Sequence, residues 1–144
     1  MNTAMDQFKM KKILIVEDNP DLVFILTCVL ESLGYAVVSA THGSEGVNKA
    51  AKEKPHLILM DILMPGMDGR EATRKIRSNP ETHDIPILAT TVLYKEPDLK
   101  QCIEAGCNDW LVKPFSKQDL QGKIQAFIPT SSTTTHCGNP AVLV

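Results

Sequence analysis

The stretch LILMDILMPGMDG, Leu57 to Gly69, decides how this chain is read. Four apolar residues run straight into a carboxylate, Asp61, and a second apolar triplet leads into Pro65 and Gly66. The first four have the pattern of a short strand that is apolar at every position and so covered on both faces. Such strands belong to parallel sheets sandwiched between helices. In those sheets the functional groups gather beyond the carboxyl ends of the strands, which is where Asp61 stands.

The pattern repeats on either side. KILIV, Lys12 to Val16, ends at Glu17 and Asp18; Asn19 then offers an N-cap and Pro20 suits the first helical position. The helix that follows carries Leu22, Ile25, Leu26, Val29, Leu30 and Leu33 on one broad face, and Gly34 closes it. YAVVSA, Tyr35 to Ala40, is the second strand. Gly43 to Lys54 reads as a helix with Val47, Ala50 and Ala51 inward, weakened by about 1 kcal/mol at Gly46 relative to alanine and stopped by Pro55. Arg70 to Arg77 form a short helix capped by Asp68, and SNPETHD is a polar loop. IPILAT, Ile85 to Thr90, is the fourth strand, with Pro86 fitting a strand start. PDLKQCIEAG is a helix with Leu99, Cys102 and Ile103 inward, and DWLV, Asp109 to Val112, is the fifth strand. In the last helix Ser116 and Asp119 have the spacing of a capping box, and Leu120, Ile124, Phe127 and Ile128 form the apolar stripe. Strand and helix thus alternate five times, which predicts an α/β fold: a five-stranded parallel sheet between five helices with right-handed crossovers.

Bulk composition narrows the function. With 144 residues, 43% of them hydrophobic, one well-filled domain is expected. A formal net charge of -2 supplies no broad cationic face, so direct nucleic-acid binding is not expected. MNTAMDQFKMKK lacks the apolar core of a secretory signal, and no apolar run approaches the roughly 20 residues that span a bilayer. A cytoplasmic protein without membrane insertion is expected. Cys28, Cys102, Cys107 and Cys137 contain no C-x-x-C pair and read as buried reduced thiols. Residues 1–10 are expected to form a flexible N-terminus, 11–128 the folded domain, and 129–144, Ser/Thr-rich and without periodicity, a flexible tail.

The charges fall at strand ends. Glu17 and Asp18 follow the first strand, Asp61 ends the third, Thr90 and Thr91 end the fourth, and Lys113-Pro114 follow the fifth. In a parallel sheet all of these share one rim. Three carboxylates held together repel one another, and a hard divalent cation such as Mg²⁺ relieves that repulsion through oxygen ligands. Lys113 adds a fixed positive charge, one carboxylate oxygen remains free to act as a nucleophile, and Thr90 can donate to an oxyanion; the set suits phosphoryl transfer. Singly, each residue has a plainer role: Asp18 as a helix-terminus partner, Thr90 as a β-former, Lys113 as a solvated charge.

ILIVEDNP, LILMDILMPGMDG, PILATT and EAGCNDWLVKPF together resemble the receiver domain of two-component response regulators, from about Lys12 to Ile128. The resemblance implies a flavodoxin-like receiver fold with strand order 2-1-3-4-5, and Asp61 as phosphoacceptor. It implies a Mg²⁺ (or Mn²⁺) ion held by Glu17, Asp18, Asp61 and the backbone carbonyl of Leu63. Thr90 and Lys113 would contact the phosphoryl group, Thr90 and Trp110 would form the switch, and Lys113-Pro114 would be cis. The turn through Met64, Pro65 and Gly66 would aim the Leu63 carbonyl at the metal, and Gly69 would allow a close return into the next helix. Partners would be a histidine kinase or histidine phosphotransfer protein and an unidentified downstream protein, with Val23 and Phe24 as candidate contacts to the donor.

Three features depart from the usual pattern. Thr91 stands where a small residue is common, and Trp110 where the family usually has Tyr or Phe; Trp110 could serve as the switch, as a partner-facing anchor, or as a half-buried edge residue. Leu63 and Val92 are apolar at positions that govern water access, which implies a long-lived aspartyl phosphate. The expected function is a single-domain response regulator, a phosphoacceptor and not an enzyme. The alternatives are a receiver cut from a larger hybrid kinase or regulator, or a phosphohydrolase with an aspartyl nucleophile. The last would need an acid where Leu63 stands.

Overall fold

Apolar strands and amphipathic helices alternate through residues 10–129, the part of the chain that the computed structural model describes. The elements are β1 (Lys12–Val16), α1 (Pro20–Ser32), β2 (Ala36–Ala40), α2 (Gly43–Glu53), β3 (Leu57–Asp61), α3 (Gly69–Ser78), β4 (Ile87–Thr91), α4 (Glu96–Ala105), β5 (Asp109–Val112) and α5 (Lys117–Phe127). The five strands form one sheet in the order β2-β1-β3-β4-β5, and every pairing is parallel. This is the predicted topology. β3 and β4 are buried along their whole length, as strands lying inside a two-sided sandwich must be.

Two apolar layers cover the sheet. Ile13, Ile15, Leu57, Leu59, Leu88 and Leu111 pack against Leu22, Leu26 and Leu30 of α1 and Leu120 and Ile124 of α5. On the other face Leu14, Val16, Ile58, Met60, Ile87 and Ala89 meet Ala50 of α2, Ala72 and Ile76 of α3 and Cys102 of α4. The helix ends follow local chemistry. The Asn19 side chain caps α1 by accepting from the Asp21 and Leu22 amides, Asp68 caps α3, and Ser116 and Asp119 form a reciprocal capping box on α5. Gly34, with φ 96°, ends α1 in a conformation that glycine adopts without cost.

Several expectations about the helices need correction. Ile25 and Ile103, assigned to inward faces, are 36% and 41% exposed. The buried seams of α1 and α4 are narrower than the apolar stripes in their sequences. Gly46 weakens α2 locally but has a packing reason: a Cβ there would lie 2.8 Å from a Val16 methyl, so glycine lets α2 press onto β1. Cys28 is exposed, because α1 turns it away from the sheet; Cys102 and Cys107 are buried as expected. Cys137, nearly all of the two terminal segments assigned as flexible, and the end of the chain lie outside the described residues.

The thiols therefore differ in reactivity. Burial pushes the Cys107 thiol up to about 11, and burial also raises Cys102. In a Cys137→Ser background, a thiol reagent is expected to modify Cys28 at least tenfold faster than Cys102 and Cys107 in the native protein; peptide mapping of the early product checks this.

Candidate functional site

Alternation along the strands selects the residues of the site. Ile15, Leu59, Leu88 and Leu111 all face α1 and α5. Glu17, Asp61, Thr90 and Lys113 each lie two residues further on, so strand periodicity points them the same way, at the carboxyl ends of four strands. β1 and β3 are neighbours, and the chain leaves them in opposite directions along the sheet, so Glu17 and Asp61 flank the topological switch point. Asp61 and Thr90 are register partners across β3 and β4.

Distances confirm the convergence. Lys113 Nζ lies 2.9 Å from Glu17 Oε1 and 3.3 Å from Asp61 Oδ1. Glu17, Asp61 and Thr90 are buried, whereas Asp18 is exposed at the rim. One carboxylate oxygen from each of Glu17, Asp18 and Asp61 falls in a group whose members all lie within 4.8 Å of one another. Burial pushes the Asp61 carboxyl up to about 7; the Glu17 carboxylate adds to this, and the Lys113 ammonium opposes it. Three acids facing one lysine form a hard-oxygen donor set suited to a divalent cation.

Backbone groups hold these side chains in place. The Asn19 amide donates to Glu17 Oε2 at 3.1 Å while the Asn19 side chain caps α1, so one residue fixes both the acid and the helix. That role was not legible in the sequence, because it belongs to a main-chain N–H. The Gly69 amide donates to the Ile62 carbonyl at 2.9 Å, and a Cβ on Gly69 would collide with the Asp61 carbonyl oxygen. Glycine is thus required where α3 folds back against the end of β3. The Lys113–Pro114 peptide bond is cis.

The remaining predicted residues lie outside these contacts. Leu63 and Val92 are exposed by 45% and 55%. Trp110 sits half-buried on the edge strand β5, packed on the layer that includes Ala89 and Cys102. The Lys123 ammonium is 6.0 Å from its ring centroid and 2.8 Å from Asp109. Phe24 is 70% exposed on α1, whereas Val23 is half-buried and packs against the α1/α5 layer.

A 2-1-3-4-5 sheet with acids and a lysine at its switch point has the layout expected of a receiver module. Residues 13–125 match the model of the response regulator receiver domain, and the chain belongs to that family. It is 40% identical over 119 residues to protein PilH of Pseudomonas aeruginosa, covering 83% of this chain and 98% of PilH. It is 36% identical over 121 residues to the alkaline phosphatase synthesis transcriptional regulatory protein PhoP of Bacillus subtilis, covering 84% of this chain but 50% of PhoP. Among solved structures it resembles the receiver domain of a Pseudomonas aeruginosa sensor histidine kinase, which has a magnesium ion coordinated in its active-site cleft. That match has a TM-score of 0.79 and 38% identity, over 85% of this chain and 100% of the other.

Proposed function

We propose that this chain is a single-domain response regulator that takes a phosphoryl group from a histidine kinase or histidine phosphotransfer protein onto Asp61. The observation that supports this most is the meeting of Asp61, Glu17 and Lys113 in one pocket, with Lys113 Nζ in contact with both acids. We assign the folded unit to residues 11–128.

Glu17, Asp18, Asp61 and the Leu63 carbonyl would hold Mg²⁺ (or Mn²⁺), the carboxylates being already grouped for it. When bound, the ion neutralises charge on the transferred oxygens. In the transfer, an Asp61 carboxylate oxygen forms a bond to phosphorus as the bond between phosphorus and the donor imidazole breaks. The electron pair of that bond leaves with the imidazole. Lys113 favours the ionised, nucleophilic form of Asp61 and pairs with the incoming negative charge. Thr90, beside Asp61 in register, donates its hydroxyl hydrogen to a phosphoryl oxygen. Thr90 and Trp110 then carry the change to a downstream protein. Leu63 offers no proton where an aspartyl phosphohydrolase would need a second acid, so the chain acts as a phosphoacceptor and not as an enzyme.

We place this function in the cytoplasm, a setting in keeping with the free thiols of Cys28, Cys102 and Cys107. Among the described residues no helix is long and apolar enough to cross a membrane. The match to half of PhoP supports a second reading, in which the same receiver is part of a longer protein.

Phe24 is the donor contact in this scheme, with the outer edge of Val23 beside it. Phe24→Glu is expected to slow transfer from a phosphohistidine donor about tenfold, the loss of one interface anchor, while uptake from acetyl phosphate stays within about twofold. Parallel rate measurements with the two donors check this. The function itself is tested by intact mass after incubation with acetyl phosphate. With Mg²⁺ the protein gains one phosphoryl group, and with EDTA in its place it gains none. No gain in the presence of Mg²⁺ would end the reading.

A further inference from the structure

The last two residues of β4 are both threonines, and they face opposite layers. Thr90 follows the parity of Leu88 and points toward the pocket. Thr91 follows the parity of Ala89 and points toward α2, α3 and α4. Thr91 is only 1% exposed, so its hydroxyl needs a partner inside the protein. That partner is the main chain two residues on: the Leu93 amide donates to Thr91 Oγ1 at 2.9 Å. This bond closes a tight turn at the start of the segment between β4 and α4.

The main chain of Thr91 is tied to the pocket as well. Its carbonyl accepts from the Lys113 amide at 2.7 Å. One residue earlier, the Thr90 carbonyl accepts from the Ile62 amide at 3.1 Å, next to Asp61. Thr91 therefore joins three parts. It follows Thr90 in the chain, it is bonded to the backbone of Lys113, and its side chain fixes the first turn of the loop that leads to α4.

We propose that Thr91 is a positioning residue for phosphoryl uptake: its hydroxyl holds the β4–α4 loop so that Thr90 and Lys113 keep their places around Asp61. This rests on the reading of Asp61 as phosphoacceptor. The acceptor oxygen is the feature that matters. Serine keeps it. Valine fills nearly the same volume but leaves the Leu93 amide without an acceptor, and the turn then loses its closing bond.

The test compares wild type, Thr91→Ser and Thr91→Val. Uptake from acetyl phosphate with Mg²⁺ is followed by intact mass, together with thermal unfolding and hydrogen exchange at the Leu93 amide. The expected result is uptake about fivefold slower in Thr91→Val, the size of one lost neutral hydrogen bond, and within about twofold of wild type in Thr91→Ser. The Leu93 amide is expected to be protected in wild type and Thr91→Ser. A purely structural role would lower the melting temperature of Thr91→Val and leave its rate unchanged, which overturns the proposal. If Thr91→Val does not fold, a Thr91→Ser rate slowed fivefold with Leu93 still protected overturns it, as does an unprotected Leu93 amide in wild type. Absence of any uptake by wild type would sink the assignment of Asp61 itself, and this proposal with it; uptake by wild type with an unchanged Thr91→Val rate sinks only the role of Thr91.

Discussion

Replacing Asp61 with asparagine is expected to abolish phosphoryl uptake and, at the same time, to stabilise the metal-free fold. Loss of uptake follows from removing the nucleophilic oxygen. The gain in stability follows from the position of the carboxyl, which is 4% exposed and close to Glu17. Its folded value is about 7, against an ordinary value of 3.8. Between those limits the native state holds a proton that the unfolded chain releases, so stability falls as pH rises from about 4 to about 7, and the full cost is present above that range. A shift of that size is worth at most about 4 kcal/mol. That shift already includes the opposing pull of Lys113; solvent screening at the rim of the pocket reduces its worth, leaving a net gain of about 1–2 kcal/mol for Asp61→Asn above neutrality. Melting temperatures are expected to rise by roughly 5 °C at pH 8 and to match wild type near pH 4. A variant less stable than wild type at pH 8 would contradict the claim that this carboxylate is held at a cost.

Lys113→Ala has the second large effect. The ammonium touches both buried acids, at 2.9 and 3.3 Å, so its removal leaves two neighbouring carboxylates without a counter-charge. Breaking a buried ion pair from one side costs roughly 3–5 kcal/mol, and proton uptake by Asp61 limits the loss to the lower end. Without added metal, the melting temperature is expected to fall by about 10 °C. Mg²⁺ is expected to restore more of the stability in the variant than it adds to wild type, because metal and lysine compete for the same oxygens. Phosphoryl uptake is expected to slow by about a hundredfold, the usual effect of deleting one preorganised charge at a transferring group. Calorimetry with and without Mg²⁺, combined with rate measurements, checks all three. Equal Mg²⁺ stabilisation in the two proteins would show that the lysine does not share the metal's ligands.

The topology was legible because the signals were redundant. KILIV and LILMD are apolar without alternation, which demands two covered faces, and each stops at an acid. Helix signals separate them, which predicts a parallel sheet between helices, while the order 2-1-3-4-5 came from the receiver resemblance. Parallel strands then bring Glu17, Asp61, Thr90 and Lys113 to one rim, and parity turns them to the same face. Packing detail was less visible. The apolar stripe of α1 is wider than the seam it buries, so Ile25 and Cys28 could not be placed by periodicity. Gly46 looked like a weakness, since the closeness of α2 to Val16 depends on tertiary packing. The contacts of Lys113 with both acids, and the bond of the Asn19 amide to Glu17, require coordinates because they join residues through space or through the main chain.

Reductive trapping shows whether Asp61 itself carries the phosphoryl group. Borohydride converts an aspartyl phosphate to homoserine, so protein phosphorylated with acetyl phosphate and Mg²⁺ can be reduced, digested and mapped by mass. The predicted result is homoserine at position 61 and nowhere else, with none in protein kept from the phosphodonor. Homoserine at position 18 or at another acid, with position 61 unchanged, would rule out Asp61 as the phosphoacceptor.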